Sequence, residues 1–427
     1  MSEAEIYWVR PLSKPPEATI EVPGSKSLTN RALLLAALAR GSSVLHRALF
    51  SDDTLYMAEA WRALGIEVAQ DAAREQFAVC GGAGSFPATR ADLFVGNAGT
   101  AMRFLVAALC LGHGNFRIDG SARMRERPIQ ALLDALVQLG ADVTTEQGTG
   151  CPPVLVRGRG LRGGTATLDA RKSSQFVSAI LQVAPCTEKG VELVLVGPPV
   201  AEPYVDMTVA VMHAFGVAVE RPRERTFWIA PQEYTGREYE IEPDASSAHY
   251  FWAAAALCGG RVRVPGLHRA SLQGDVRFAD VLAAMGASVT FGPNWIEVCG
   301  NDVLQGIDVD MNAISDTAMT LAALAPFANR PTRIGNVAHL RLQESDRLRA
   351  MATELSRLGV RVDEEADSLT IYPSRVAPAV VETYDDHRIA MSLALIGLRV
   401  PGIGIRNPAC VRKTFPNFFD KLEELYR

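Results

Sequence analysis

A chain of 427 residues is too long for one ordinary core and suits two or three domains. Hydrophobic residues at 48% and charged residues at 21% exclude a disordered or collagen-like chain. A formal net charge of −5 argues against a global basic field for nucleic acid, yet it leaves room for a local basic pocket.

The N-terminal stretch "MSEAEIYWVRPLSKPP" has no apolar h-region, so no signal peptide is expected. No apolar run approaches the roughly 18–20 residues of a membrane span. The 7 cysteines form no C-x-x-C pair and read as reduced thiols of a cytoplasmic protein. The 7 histidines lack H-E-x-x-H or Cys/His spacing, so no metal site is expected.

The first strand-like segment is "ATIEV" at 18–22, followed by "GSKS" at 24–27, a strand-to-helix turn. From there two phrases recur out of phase. One is a polar cluster opening an apolar helix. It starts near Ser25, Asn97, Ser173, Ser246, Ser315 and Asp385. The other is an amphipathic helix stopped by Gly before a strand, at Gly65, Gly140, Gly216, Gly286 and Gly359. Each such Gly is read as a left-handed C-cap. Six copies of about 71 residues fill the chain. The apolar helices should be buried and the amphipathic ones outer. The sixth copy runs out at "TFPNFFDKLEELYR", 414–427, and is expected to be completed by the strand 18–22 returning from the N-terminus. A midpoint near "REYEIEPDASS", 237–247, divides the six copies into three and three.

Serine and aspartate at a helix start are first of all caps, and that accounts for Ser246, Ser247 and Ser315. Other starts carry cations: Lys26 and Arg31, Arg103, and His387 with Arg388. A cation at a helix N-terminus opposes the dipole, and a bound anion explains it. "NAGT" at 97–100 offers a Gly for close backbone approach. "SARMRERP" at 121–128 is basic, with most charges solvated and one directed inward. "QESDR" at 343–347 mixes acid and base, Asp316 stands at a buried helix start, and Lys413 precedes the last helix. "GRGLRG" at 158–163 matches G-x-G-x-x-G but opens no helix, so it is not a dinucleotide site. The sum is a pocket of Lys and Arg with a few carboxylates, suited to two small anions and proton transfer without a cofactor.

The ordered set "PGSKSLTNRALLLAALA", "GNAGTAMRF", "RMRERPI", "SSQF", "GDVRFADVL", "SDTAMT", "ESDRL", "YDDHRIAMSLAL" and "KTFPNFF" spans nearly the whole chain. It resembles the 5-enolpyruvylshikimate-3-phosphate synthase family. The resemblance implies an α/β fold of two domains, each of three βαβαββ units around a pseudo-threefold axis, an inside-out α/β barrel. It implies domains of 24–242 and of 1–23 plus 243–427, with the active site in the cleft between them. The implied activity transfers the enolpyruvyl group of phosphoenolpyruvate to the 5-hydroxyl of shikimate 3-phosphate. The rival is an enolpyruvyl transferase with another acceptor.

Carried over by motif, Lys26, Gly99, Arg123, Gln175, Arg347, Arg388 and Lys413 hold phosphoenolpyruvate. Lys26, Ser27, Arg31, Ser173, Ser174, Gln175, Tyr204, Asp316, His339 and Gln343 hold shikimate 3-phosphate. Lys26, Asp316 and Glu344 move protons, and His387 either does so or orients its neighbour. Neither metal nor cofactor is implied, and the partners are the two small substrates, not nucleic acid or membrane. The chain is expected to be a monomer. It departs from the commoner family pattern at Ala201, His339 and Gln343, on the acceptor side, and at Phe104, where some members have Pro. Phe104 is read either as core packing or as a change in the first turn that weakens inhibition by glyphosate.

Overall fold

The computed structural model describes residues 5–427. The chain divides into two compact units, one of residues 24–241 and one of residues 1–23 and 242–427. Each unit contains three small β-sheets and three buried helices.

The sheets repeat one pattern, an edge strand parallel to a central strand and then two antiparallel strands. In the 24–241 unit, the sheet of Arg90–Phe94, His113–Asp119, Val154–Arg159 and Val143–Thr145 shows it within one copy. The first copy borrows its parallel edge strand, Glu238–Glu240, from the end of the unit.

The N-terminus supplies strands to two copies of the other unit, and the structure corrects the expectation here. The strand Glu17–Thr19 pairs with Arg261–Pro265 in the fourth sheet, not the sixth. The sixth sheet is completed by Ile6–Val9, antiparallel to Ile403–Arg406, and has three strands rather than four. Pro11, Pro15 and Pro16 interrupt the chain between the two strands. Room for Ile6–Val9 comes from two glycines: a Cβ at Gly397 would stand 2.4 Å from Val9 Cβ, and one at Gly404 would stand 2.9 Å from an Ile6 methyl.

The glycine stops are where the sequence places them. Gly65, Gly140, Gly216, Gly286 and Gly359 have φ of +87°, +97°, +89°, +99° and +80°, and each follows an outer helix. The buried helices are Lys26–Leu38, Gly99–Leu109, Ser174–Val183, Ala245–Cys258, Ala318–Leu324 and His387–Gly397. Every residue of Gly99–Leu109 and of His387–Gly397 is buried, as near-continuous apolar faces require. Phe104 is among them, fully buried, with the Arg31 guanidinium 5.3 Å from its ring centre, so it packs the core.

Two helix starts differ from expectation. The fourth buried helix is capped by Asp244, whose carboxylate accepts from Ser246 N at 2.9 Å. Ser246 then bonds elsewhere, to Asp275. The fifth begins at Ala318, so Ser315 and Asp316 lie one turn earlier, in the 3-10 segment Asn312–Thr317. Ile314, at φ −130°, kinks that segment two residues before Asp316.

Candidate active site

In the 24–241 unit, Ser25 caps the first buried helix and places Lys26 and Ser27 in its first turn. Lys26 Nζ lies 3.6 Å from Asp53 Oδ2, with the lysine side chain 13% exposed and the aspartate 2%. Lys26 is thus anchored on one side and partly open on the other.

Arg31 is buried, at 2% exposure. Its Nε donates to Thr208 Oγ1 at 2.8 Å, Nη1 to the Ser27 carbonyl at 3.0 Å, and Nη2 to Ser178 Oγ at 3.3 Å and the Tyr204 carbonyl at 3.0 Å. Burial lowers its pKa to about 10, so it stays charged at neutral pH. Two of these bonds hold the backbone carbonyls of Ser27 and Tyr204, two of the predicted acceptor residues, in place.

The helix Gly99–Leu109 starts without a side-chain cap. Its first N–H groups are those an anion would take. The cation against the Gly99 backbone is Arg127. Arg127 is 3% exposed, donates to the carbonyl and Oδ1 of Asn97 at 3.2 and 3.1 Å, and would meet a Cβ on Gly99 at 2.7 Å. Arg123 is about one-third exposed and pairs with Glu126 at 2.9 Å. Arg125 pairs with Asp119 at 2.6 Å. One of the three arginines of "RMRERP" thus faces inward, as the sequence implies, but it is the last of them. On the third buried helix, Ser173 is the cap, accepting from Gln175 N at 3.2 Å, and Gln175 Nε2 reaches Thr100 Oγ1 at 3.4 Å. Ser174 follows the cap and is buried.

In the other unit the predicted residues converge on one network. Arg347, 1% exposed, donates to Asp316 at 3.1 Å, Glu344 at 2.9 Å and Asp386 at 2.9 Å. Arg388 holds the second Asp316 oxygen at 2.7 Å, and Lys413 holds the second Glu344 oxygen at 2.8 Å. Burial alone would lower the Arg347 pKa; Asp386, Glu344 and Asp316 outweigh it, and the net shift is upward. Three cations against three carboxylates leave this cluster balanced. Asp386 is wholly buried and also caps its helix, accepting from Arg388 N at 2.9 Å and from Ser345 Oγ at 2.9 Å. His387 is buried with its Nδ1 3.7 Å from Asp386, a position that suits orienting its neighbour. Gln343 and Ala201 are partly and almost wholly buried, respectively.

His339 is 7% exposed and its Nε2 lies 2.8 Å from Ser315 Oγ, directly before Asp316. Burial, with Arg347 adding to it and Asp316 opposing, lowers its pKa from 6.5 to about 4. A base held neutral in this way stabilises the fold above its unfolded value, and the contribution is lost as pH falls from 6.5 toward 4. His339→Asn keeps an amide near Ser315 and removes the titration. Urea unfolding should then show the variant losing about 2 kcal/mol less than wild type between about pH 7 and about pH 5. Equal losses in the two proteins would refute this account.

The fold and these residues together define an α/β protein of repeated units built to handle small anions: uncapped or cation-bearing starts of buried helices, and carboxylates interlocked with Lys and Arg. The family model of EPSP synthase (3-phosphoshikimate 1-carboxyvinyltransferase) matches residues 12–422. The 3-phosphoshikimate 1-carboxyvinyltransferase of Trichormus variabilis is 48% identical over 411 residues, 96% of each chain. That of Aliivibrio fischeri is 46% identical over 425 residues, 99% of each chain. EPSP synthase from Acinetobacter baumannii superposes with a TM-score of 0.82 at 26% identity, covering 98% of both chains. The enolpyruvyl transferase NikO from Streptomyces tendae shares the fold, with a TM-score of 0.76, 21% identity, and 99% of this chain and 98% of that one covered. The chain belongs to the EPSP synthase family. Among the described residues no helix is long and apolar enough to cross a membrane.

Proposed function

We propose that the protein transfers the enolpyruvyl group of phosphoenolpyruvate to the 5-hydroxyl of shikimate 3-phosphate and releases phosphate. The observation that carries this is the interlocked network of Arg347, Arg388 and Lys413 with Asp316 and Glu344, because it sets anion-binding charge and proton-transfer groups side by side. The residues that serve the substrates are Lys26, Gly99, Arg127 and Gln175 in one unit and Arg347, Arg388 and Lys413 in the other.

The chemistry follows from the balance of charges. In the substrate-free cluster each carboxylate screens a cation. An incoming phosphate or carboxylate competes for the same guanidinium and ammonium groups. As those cations turn to the ligand, Asp316 and Glu344 lose stabilisation and their proton affinity rises. Asp316 then takes the proton of the acceptor hydroxyl while its oxygen bonds to C2 of phosphoenolpyruvate. The methylene carbon takes a proton, with Glu344 and Lys26 as the candidate donors. The product of this addition is a tetrahedral ketal. Loss of phosphate from C2 and of one methyl proton restores the enol double bond, so the second half returns the proton taken up in the first.

Phosphate release with both substrates tests the reading. Turnover with shikimate 3-phosphate supports it. Turnover with a different acceptor alone selects the paralogue, and no turnover with any acceptor refutes an enzymatic role. In the same assay Arg127→Ala should raise the KM for phosphoenolpyruvate about tenfold or more, and Arg123→Ala should change it about twofold or less.

A further inference from the structure

The turn "QGD" at 273–275 lies outside every role assigned above. Asp275 is 2% exposed. It sits in the 3-10 segment Gly274–Arg277, which packs on both the segment Asn312–Thr317 that carries Asp316 and the helix Ala245–Cys258. Its Oδ2 accepts a hydrogen bond from Ser246 Oγ. Gln273 clamps the same helix start independently: its Oε1 accepts from Ala245 N at 3.0 Å, and its Nε2 donates to the Pro243 carbonyl at 2.7 Å. With Asp244 as the cap as well, that helix start is already held. A buried carboxylate at 275 is costly for a clamp alone, since a neutral side chain would bond Ser246 with less desolvation.

What a carboxylate adds there is charge beside Asp316. The charged groups that face Asp275 are Asp316, Arg388 and Asp244. From the packed helix, His249 and Tyr250 face Arg388 and Asp316. Asp316 is gripped by two guanidinium groups, which stabilise its ionised form and make it a weak base. A second negative charge nearby acts in the opposite sense.

We propose that Asp275 is a positioning residue for Asp316, its carboxylate raising the proton affinity of Asp316 and sharing the pull of Arg388, so that Asp316 can accept the acceptor's hydroxyl proton. This rests on the enolpyruvyl transfer proposed above. Burial, with Asp316 adding and Arg388 opposing, pushes the Asp275 pKa itself up to about 6. Two interacting carboxylates then titrate as a pair, and the acid limb of kcat/KM should be steeper than one proton.

The test is the pH profile of phosphate release in wild type, Asp275→Asn, Asp275→Glu and Ser246→Ala. In Asp275→Asn the acid limb should move down by about one pH unit and approach single-proton steepness. Its kcat should fall about tenfold. Asp275→Glu keeps the charge and should keep the limb in place, whereas Ser246→Ala removes a hydrogen bond that favours the charged Asp275 and should move the limb up, not down. A limb unmoved in Asp275→Asn, whatever the loss in kcat, overturns the proposal and leaves Asp275 a clamp. So does a limb that moves down equally in Ser246→Ala. Absence of wild-type turnover with these substrates at every pH would overturn the transfer reading and this inference with it, whereas wild-type turnover with an unmoved limb overturns this inference alone.

Discussion

Lys26→Met should reduce kcat/KM by about a thousandfold or more while the protein stays folded, as removal of a charge that acts on the reacting groups requires. The lysine is at the first position of a buried helix, where the dipole disfavours a cation. Its ion pair with Asp53, at 3.6 Å, is longer than a good charged hydrogen bond. Methionine preserves the length and the apolar stem. The pair with Asp53 is lost, and a small drop in thermal midpoint should follow. Lys26→Met with Asp53→Asn separates the two effects: the double variant should recover the midpoint and not the turnover. Circular dichroism and phosphate release are the measurements. A single variant that keeps a tenth of wild-type kcat would sink the role of Lys26.

The elements that could be read from the sequence are those fixed by local chemistry. A left-handed residue after a helix is almost always Gly, so Gly65, Gly140, Gly216, Gly286 and Gly359 exposed the repeat directly. Ser25 and Ser173 could be read as helix starts because a serine cap is a local hydrogen bond. What depended on distant pairing could not be read. The strands Ile6–Val9 and Glu17–Thr19 are both short, and only their partners, Ile403–Arg406 and Arg261–Pro265, decide between the sheets. The glycines at 397 and 404 were the available signal, since a bare backbone face marks where another chain segment approaches.

The arginine at the Gly99 corner is set by the local turn. The segment Met124–Glu126 is a 3-10 turn, so residues three apart share a face. Arg123 and Glu126 therefore pair on the outside, while Met124 and Arg127 turn inward, at 0% and 3% exposure. Motif order alone does not distinguish 123 from 127; the turn's three-residue period does. Arg31 shows a further limit. The hydroxyls that engage it, Thr208 and Ser178, come from two other helices.

Arg347→Met should both abolish turnover and destabilise the protein by about 3–5 kcal/mol, because it strands carboxylates that the guanidinium holds. The side chain is 1% exposed, and its three carboxylates differ in what else supports them. Asp316 keeps Arg388 and Glu344 keeps Lys413. Asp386 is wholly buried, so it should account for much of the loss. The pH dependence gives the sign. Without Arg347 buried negative charge in this cluster is left uncompensated, so the penalty is largest at neutral pH and shrinks on acidification. Urea unfolding at a series of pH values should therefore show the gap between variant and wild type closing on acidification. Asp386→Asn in the Arg347→Met background should restore part of the stability at neutral pH and none of the activity. A gap that stays constant with pH, or a double variant no more stable than the single one, would mean that packing rather than charge makes Arg347 indispensable.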